Sequence, residues 1–253
     1  MDSAEAAANW RSFLVSGDSE GGRRMLAPVL AADEPPSRER AICFYADGVF
    51  LFRLGENSAS RERNEHALAI AREVDDAEAE SLALVGLSRA AFREDRHDDV
   101  VRLAREARGR ATTVSPEAGA APLHMEAAGT RLLGDHDGAA ALYRESLELA
   151  RSLGNERSIA MEQHNLGHVE LHRGNIEEAA RLFEQRLAFA EASPDPYEHA
   201  MTALNAAALA AAKRDDGLAR ERFAEAQRSL EKNEIVLDPD DAFEFSALAS
   251  RFG

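Results

Sequence analysis

The sequence predicts an all-α protein, a solenoid of about six helical hairpins closed by a C-terminal capping helix. Three observations predict it. Hydrophobic residues make up 45% of the chain and are mostly Ala and Leu, which favour helices, while β-branched runs are nearly absent. A turn-like dipeptide recurs at near-constant spacing. Small and large side chains keep fixed distances from each of those turns.

The turns are Gly17-Asp18, Gly55-Glu56, Asp95-Arg96, Gly134-Asp135, Gly174-Asn175 and Arg214-Asp215, at intervals of 38, 40, 39, 40 and 40 residues. A fixed period of this length is the signature of stacked supersecondary units. Each unit is expected to be a helix A, a turn and a helix B. Glycine tolerates the positive φ that ends a helix, and the Asp or Asn after it can cap the next one. Trp10, Gly48, Ser88, Ala127, Gly167 and Ala207 stand seven residues before the turns, and five of these six are small, so the two helices can approach closely. Leu26, Tyr143, Phe183 and Phe223 stand nine residues after their turns, where a large side chain fills the space toward the next unit.

Breaks separate the units in order. Pro35-Pro36-Ser37, Asp75-Asp76, Ser115-Pro116, Gly154-Asn155 and Ser193-Pro194-Asp195-Pro196 divide the chain into units of about 3–36, 37–78, 79–116, 117–156, 157–196 and 197–236. Ser115 and Asp195 each precede a proline, the pattern of an N-cap followed by Pro at the first helical position. The last segment, 238–252, carries Phe243, Phe245, Leu248 and Phe252 and is expected to cover the apolar end of the stack. All of this makes one domain over 1–253.

Leu166-Gly167, Gly174-Asn175, Ala179 and Phe183 match the tetratricopeptide signature, and Gly48, Gly134, Ala139 and Tyr143 match parts of it. The chain therefore resembles tetratricopeptide repeat proteins, which implies a right-handed superhelix. The 40-residue period is longer than the usual unit of about 34 residues. It resembles the C-terminal repeats of large bacterial transcriptional regulators of the LuxR, SARP and MalT-like kinds. Their Gly-rich phosphate loop is absent from this sequence. Glu170 and Arg186 depart from the pattern, standing where an aromatic residue and an alanine are usual.

The resemblance also implies which helix A positions line a concave face. Carried over, it names Tyr45, Phe52, Arg53, Arg89, Phe92, Arg93, His124, Met125, Arg131, Met161, His164, Asn165, His168, His172, Met201 and Asn205. No carboxylate is among them, although the chain has 46 acidic residues. A locally cationic groove with apolar Phe, Tyr and Met contacts suits a peptide or protein partner with acidic or carboxylate-bearing groups. Asn165 and Asn205 occupy equivalent positions in adjacent units, where related repeats hold the backbone of an extended peptide. The plainer alternative is that the arginines pair with acids on neighbouring helices.

His164, His168 and His172 follow i, i+4, i+8 spacing and form one line on a helix face. That line is about 12 Å long, too extended for one ion, and no carboxylate completes a metal set in sequence. No metal, cofactor or catalytic residue is assigned. The imidazoles could titrate near neutral pH and tune the affinity for an anion. Cys43 lies in the apolar run Ile42-Cys43-Phe44 and reads as a buried thiol.

The formal charge of −16 disfavours nucleic acid and anionic membranes. One cysteine excludes an internal disulfide, and neither a leader nor a membrane span is apparent. A cytoplasmic location follows, and the abundance of Arg and Ala over Lys points to a bacterial source. The leading expectation is a protein-interaction module, an adaptor or regulator, rather than an enzyme. A sensor enclosing a small anionic ligand and a divergent enzyme using groove histidines are the alternatives.

Overall fold

The computed structural model describes residues 2–253, and among these the regular structure is helical, with no strand. Helices follow one another in chain order, two to each repeat: α1 (Ser3–Ser16) with α2 (Ser19–Ala31), α3 (Arg38–Arg53) with α4 (Asn57–Glu73), and α5 (Ala77–Arg93) with α6 (His97–Ala111). Then come α7 (Ala120–Leu132) with α8 (His136–Ser152), α9 (Glu156–His172) with α10 (Ile176–Ala192), and α11 (Pro196–Ala212) with α12 (Asp216–Lys232). A further helix, α13 (Pro239–Phe252), closes the order.

The turn series has a direct backbone cause. Gly17, Gly55, Gly134 and Gly174 adopt φ of 77°, 80°, 84° and 80°, and the two turns without glycine put Asp95 and Arg214 at 55° and 63°. All six turns thus use the left-handed region, which costs L-residues about 1–2 kcal/mol and glycine little. Capping follows for Asp18, Asp135 and Asp215, whose carboxylates accept from Gly21, Gly138 and Leu218 backbone N–H groups. Asn175 departs from that expectation. It caps nothing with its side chain and instead donates Nδ2 to Glu170 at 2.6 Å.

Contacts cluster into two compact units, one ending at Gly129 and one running from Thr130 to Gly253. In the first, Trp10, Leu26, Cys43, Tyr45 and Phe50 are buried together, and burial pushes the Cys43 thiol up to about 11. In the second, Met201, Leu204 and Phe223 pack with Leu248 and Phe252 of α13. A Cβ on Gly167 would stand 2.3 Å from the Phe183 ring, which is why a glycine is needed where α9 meets α10.

The two departures from the repeat pattern turn into ion pairs. Glu170 is fully buried and is clasped by Arg144 and Arg173, the latter at 2.9 Å. Arg186 is 3% exposed and pairs with Glu198. In the first unit Asp47 is held the same way, between Arg23 at 3.0 Å and Arg63 at 2.8 Å. No helix among the described residues is long and apolar enough to cross a membrane.

Candidate functional site

In the second unit one end of α7, the length of α9 and the N-terminal half of α11 present their inward residues to a common partner, α13. Arg131 stands near the end of α7, and α9 supplies His164, Asn165, His168 and His172 at helical spacing. Tyr197, Met201 and Asn205 come from α11. Opposite them, α13 aims Asp240, Asp241 and Glu244, at i, i+1 and i+4, so that all three carboxylates lie on its inner edge.

The pairing is specific atom by atom. Arg131 Nη2 donates to Glu244 Oε1 at 2.5 Å, Nη1 donates to Asn165 Oδ1 at 3.0 Å, and Asp240 lies 3.8 Å away. His164 Nε2 donates to Asp241 Oδ1 at 2.6 Å, and the Tyr197 hydroxyl donates to Asp241 Oδ2 at 2.5 Å. His172 Nε2 donates to Glu244 Oε1 at 2.8 Å, while His168 Nδ1 lies 3.5 Å from Glu244 Oε2. His168 Nε2 sits 2.8 Å from Asn205 Oδ1.

This cluster is dry. Side-chain exposure is 1% for Arg131, 0% for His168 and 7% for Glu244. Burial works against the Arg131 charge, yet Glu244 and Asp240 outweigh it and raise its pKa. Burial pulls His164 down to about 4, only partly offset by Asp241, so its imidazole is neutral at pH 7 and donates one proton to that carboxylate. Burial opposes the charge of Glu244, but His168, His172 and Arg131 together hold it well below the usual carboxylate range. Asp241, burial notwithstanding, is held down to about 2 by His164 and Tyr197. Tyr197, buried beside that carboxylate, is raised.

At the rim, His172 stacks on His136 with ring centroids 4.7 Å apart and planes 7° from parallel. Burial, followed by His172 and Arg131, lowers the His136 pKa. The two rings border an open hollow of about 430 Å³ with Asp135, Asp137, Arg173 and Asn175. Among the described residues, no group of three or more His, Cys, Asp or Glu side chains is arranged to hold a metal ion.

Of the other groove candidates, Met161 is 40% exposed and Met201 is buried. In the first unit, Tyr45, Phe92 and Met125 are buried core residues and His124 is half-buried. Arg93 lies 3.8 Å over the Phe52 ring and donates to the Phe52 carbonyl, and Arg53 donates to the Leu14 carbonyl. Arg89, half-buried, borders a small hollow with Phe52, Asn64 and Gly86. The sixteen candidates therefore fall in two places. In the second unit, Arg131, His164, His168 and His172 meet a set of carboxylates.

Sequence reasoning missed Asp240, Asp241, Glu244 and Tyr197. Reading α13 only for its phenylalanines hid its acidic edge, and the spacing of the three acids was the available signal. Phe243, expected to cover the stack, is 47% exposed, and Phe245 meets Phe223 at 5.0 Å.

Residues 120–192 match the family profile of the tetratricopeptide repeat. Solved structures similar over most of the chain have the same kind of fold. A Rap protein complexed with competence and sporulation factor aligns with a TM-score of 0.67 at 13% identity, over 97% of this chain and 79% of that one. NprR in complex with its cognate peptide NprX aligns with a TM-score of 0.69 at 13% identity, over 98% and 71%. PilF of Pseudomonas aeruginosa aligns with a TM-score of 0.62 at 18% identity, over 98% and 97%. Comparison with curated proteins gives no match.

Proposed function

We propose that this protein is a tetratricopeptide-type interaction module, an adaptor or regulator, that binds a carboxylate-bearing segment of a peptide or protein in the groove of its second unit. One observation carries the reading: Arg131, His164, His168 and His172 converge on three carboxylates of α13. A buried cation leaves a large desolvation cost unless an anion meets it, so such a set is selective for acids. A structurally similar protein, NprR, is complexed with its cognate peptide, and another, a Rap protein, with competence and sporulation factor; the first supports a peptide over a small molecule.

The test uses labelled peptides of 14–16 residues in two sets, one with clustered Asp and Glu and one with Asn and Gln in their place. Fluorescence anisotropy against the full chain should show salt-sensitive binding of the acidic set alone. His172→Asn, on the half-exposed rim, should weaken it several-fold without unfolding the protein. Equal binding of both sets, or an unaffected His172→Asn variant, refutes the reading.

A further inference from the structure

The chemistry of α13 is wrong for a cap alone. Covering the apolar end of a helical stack needs apolar side chains, and Phe245, Leu248 and Phe252 provide them. The N-terminal half of the same helix instead buries three carboxylates against an arginine and two histidines, with a third histidine at the rim. Well-packed hydrophobic residues would stabilise a fold as well or better than such a set. Charge pairs of this kind are instead suited to selecting a partner.

Its attachment is made by side chains more than by close backbone packing. The α13 backbone runs beside α11 and α12 over a shorter stretch than those two run beside each other, with Leu248 and Phe252 as its apolar anchors. The connection from α12 runs over Asn233–Asp238 and exposes Val236 by 81%. Six residues can span up to about 20 Å, close to the length of a 14-residue helix, and release of α13 also lifts Ile235 and Leu237 of the connection off the core they pack against.

We propose that α13 is an exchangeable occupant of this groove, and that the partner is an acidic amphipathic helix which reproduces it. That helix carries Asp or Glu at i, i+1 and i+4, followed by apolar residues at i+5, i+8 and i+12, as Asp240, Asp241, Glu244, Phe245, Leu248 and Phe252 do. This rests on the reading of the groove as a recognition site, and adds what the ligand looks like and what it displaces. A tethered occupant competes at an effective concentration in the millimolar range, so partner binding is weakened by the fraction of time α13 is in place.

The experiment places a specific protease site after Val236 in the full chain and cuts it after folding. A labelled peptide of residues 238–253 should exchange into the cut protein, whose circular dichroism stays helical, and should bind the uncut chain about 100-fold more weakly. The same peptide with Asp240→Asn, Asp241→Asn and Glu244→Gln should compete at least tenfold less well. An alanine-based helix bearing only the three acids and three apolar residues at this spacing should compete within tenfold of the native peptide. The proposal is overturned if the cut fragment never exchanges, if the second unit unfolds as it leaves, or if cutting leaves affinity unchanged. It is equally overturned if acidic peptides bind the uncut chain while hydrogen exchange shows α13 undisturbed. In that last case the acid-binding groove itself stands.

Discussion

Replacing Arg131 and Glu244 by methionine, singly and together, measures how strongly α13 is held. Arg131 is 1% exposed and Glu244 7%, and they meet at 2.5 Å. Removing one member of a buried pair costs about 3–5 kcal/mol, because the other charge is left without its partner. Here the cost falls at the lower end, about 3 kcal/mol for each single change. Arg131 without Glu244 keeps Asn165 at 3.0 Å and Asp240 at 3.8 Å, and Glu244 without Arg131 keeps His172 at 2.8 Å. The double variant loses both charges at once and should be destabilised by less than the sum, with a coupling of about 2 kcal/mol. Urea unfolding should be followed by circular dichroism and by hydrogen exchange of α9 and α13. The single tryptophan, Trp10, lies in the first unit and reports on that unit. Single changes that each cost less than about 1 kcal/mol, or that add within about 0.5 kcal/mol, would refute the account of the cluster.

His164 has its pKa lowered to about 4 from 6.5, so the unfolded chain takes up the proton first as pH falls. Its contribution is complete above pH 6.5, and about 2 kcal/mol of it is lost by pH 5, a dependence that His164→Asn should remove from the urea midpoint. Asp241, held down to about 2, keeps its contribution until the pH falls below about 4. His164→Ala with His168→Ala would leave the melting temperature nearly unchanged on an open groove. Both are buried under α13, so we expect a fall of several degrees in a calorimetric scan. Arg214→Gly relieves a left-handed residue at φ 63° on an exposed turn and should raise stability by up to about 1 kcal/mol in urea titration.

The repeat was legible because its causes are local. A turn needs a left-handed residue, and helix pairs need a small residue where they cross, so Gly17, Gly55, Gly134 and Gly174 mark the period by themselves. Asp95 and Arg214 were found only by counting from the others. The groove side of the site was legible in the same way, since Arg131, His164, His168 and His172 sit at helix A positions. The answering carboxylates were not. Asp240, Asp241 and Glu244 are three among 46 acidic residues, and only the return of α13 onto α9 singles them out. The oxygens of Asn165 and Asn205, expected to hold a peptide backbone, bind Arg131 and His168, a change that also depends on tertiary packing.

The burial of Arg131 and its histidines inside a chain of net charge −16 has a kinetic consequence. An approaching acidic helix meets repulsion from the outer surface before it reaches the few cations that favour it. Added salt, with a screening length of about 8 Å near physiological strength, removes that barrier at long range but reaches the dry contacts poorly. Association should therefore quicken as ionic strength rises while the bound lifetime changes little, the reverse of the electrostatic steering common among charged partners.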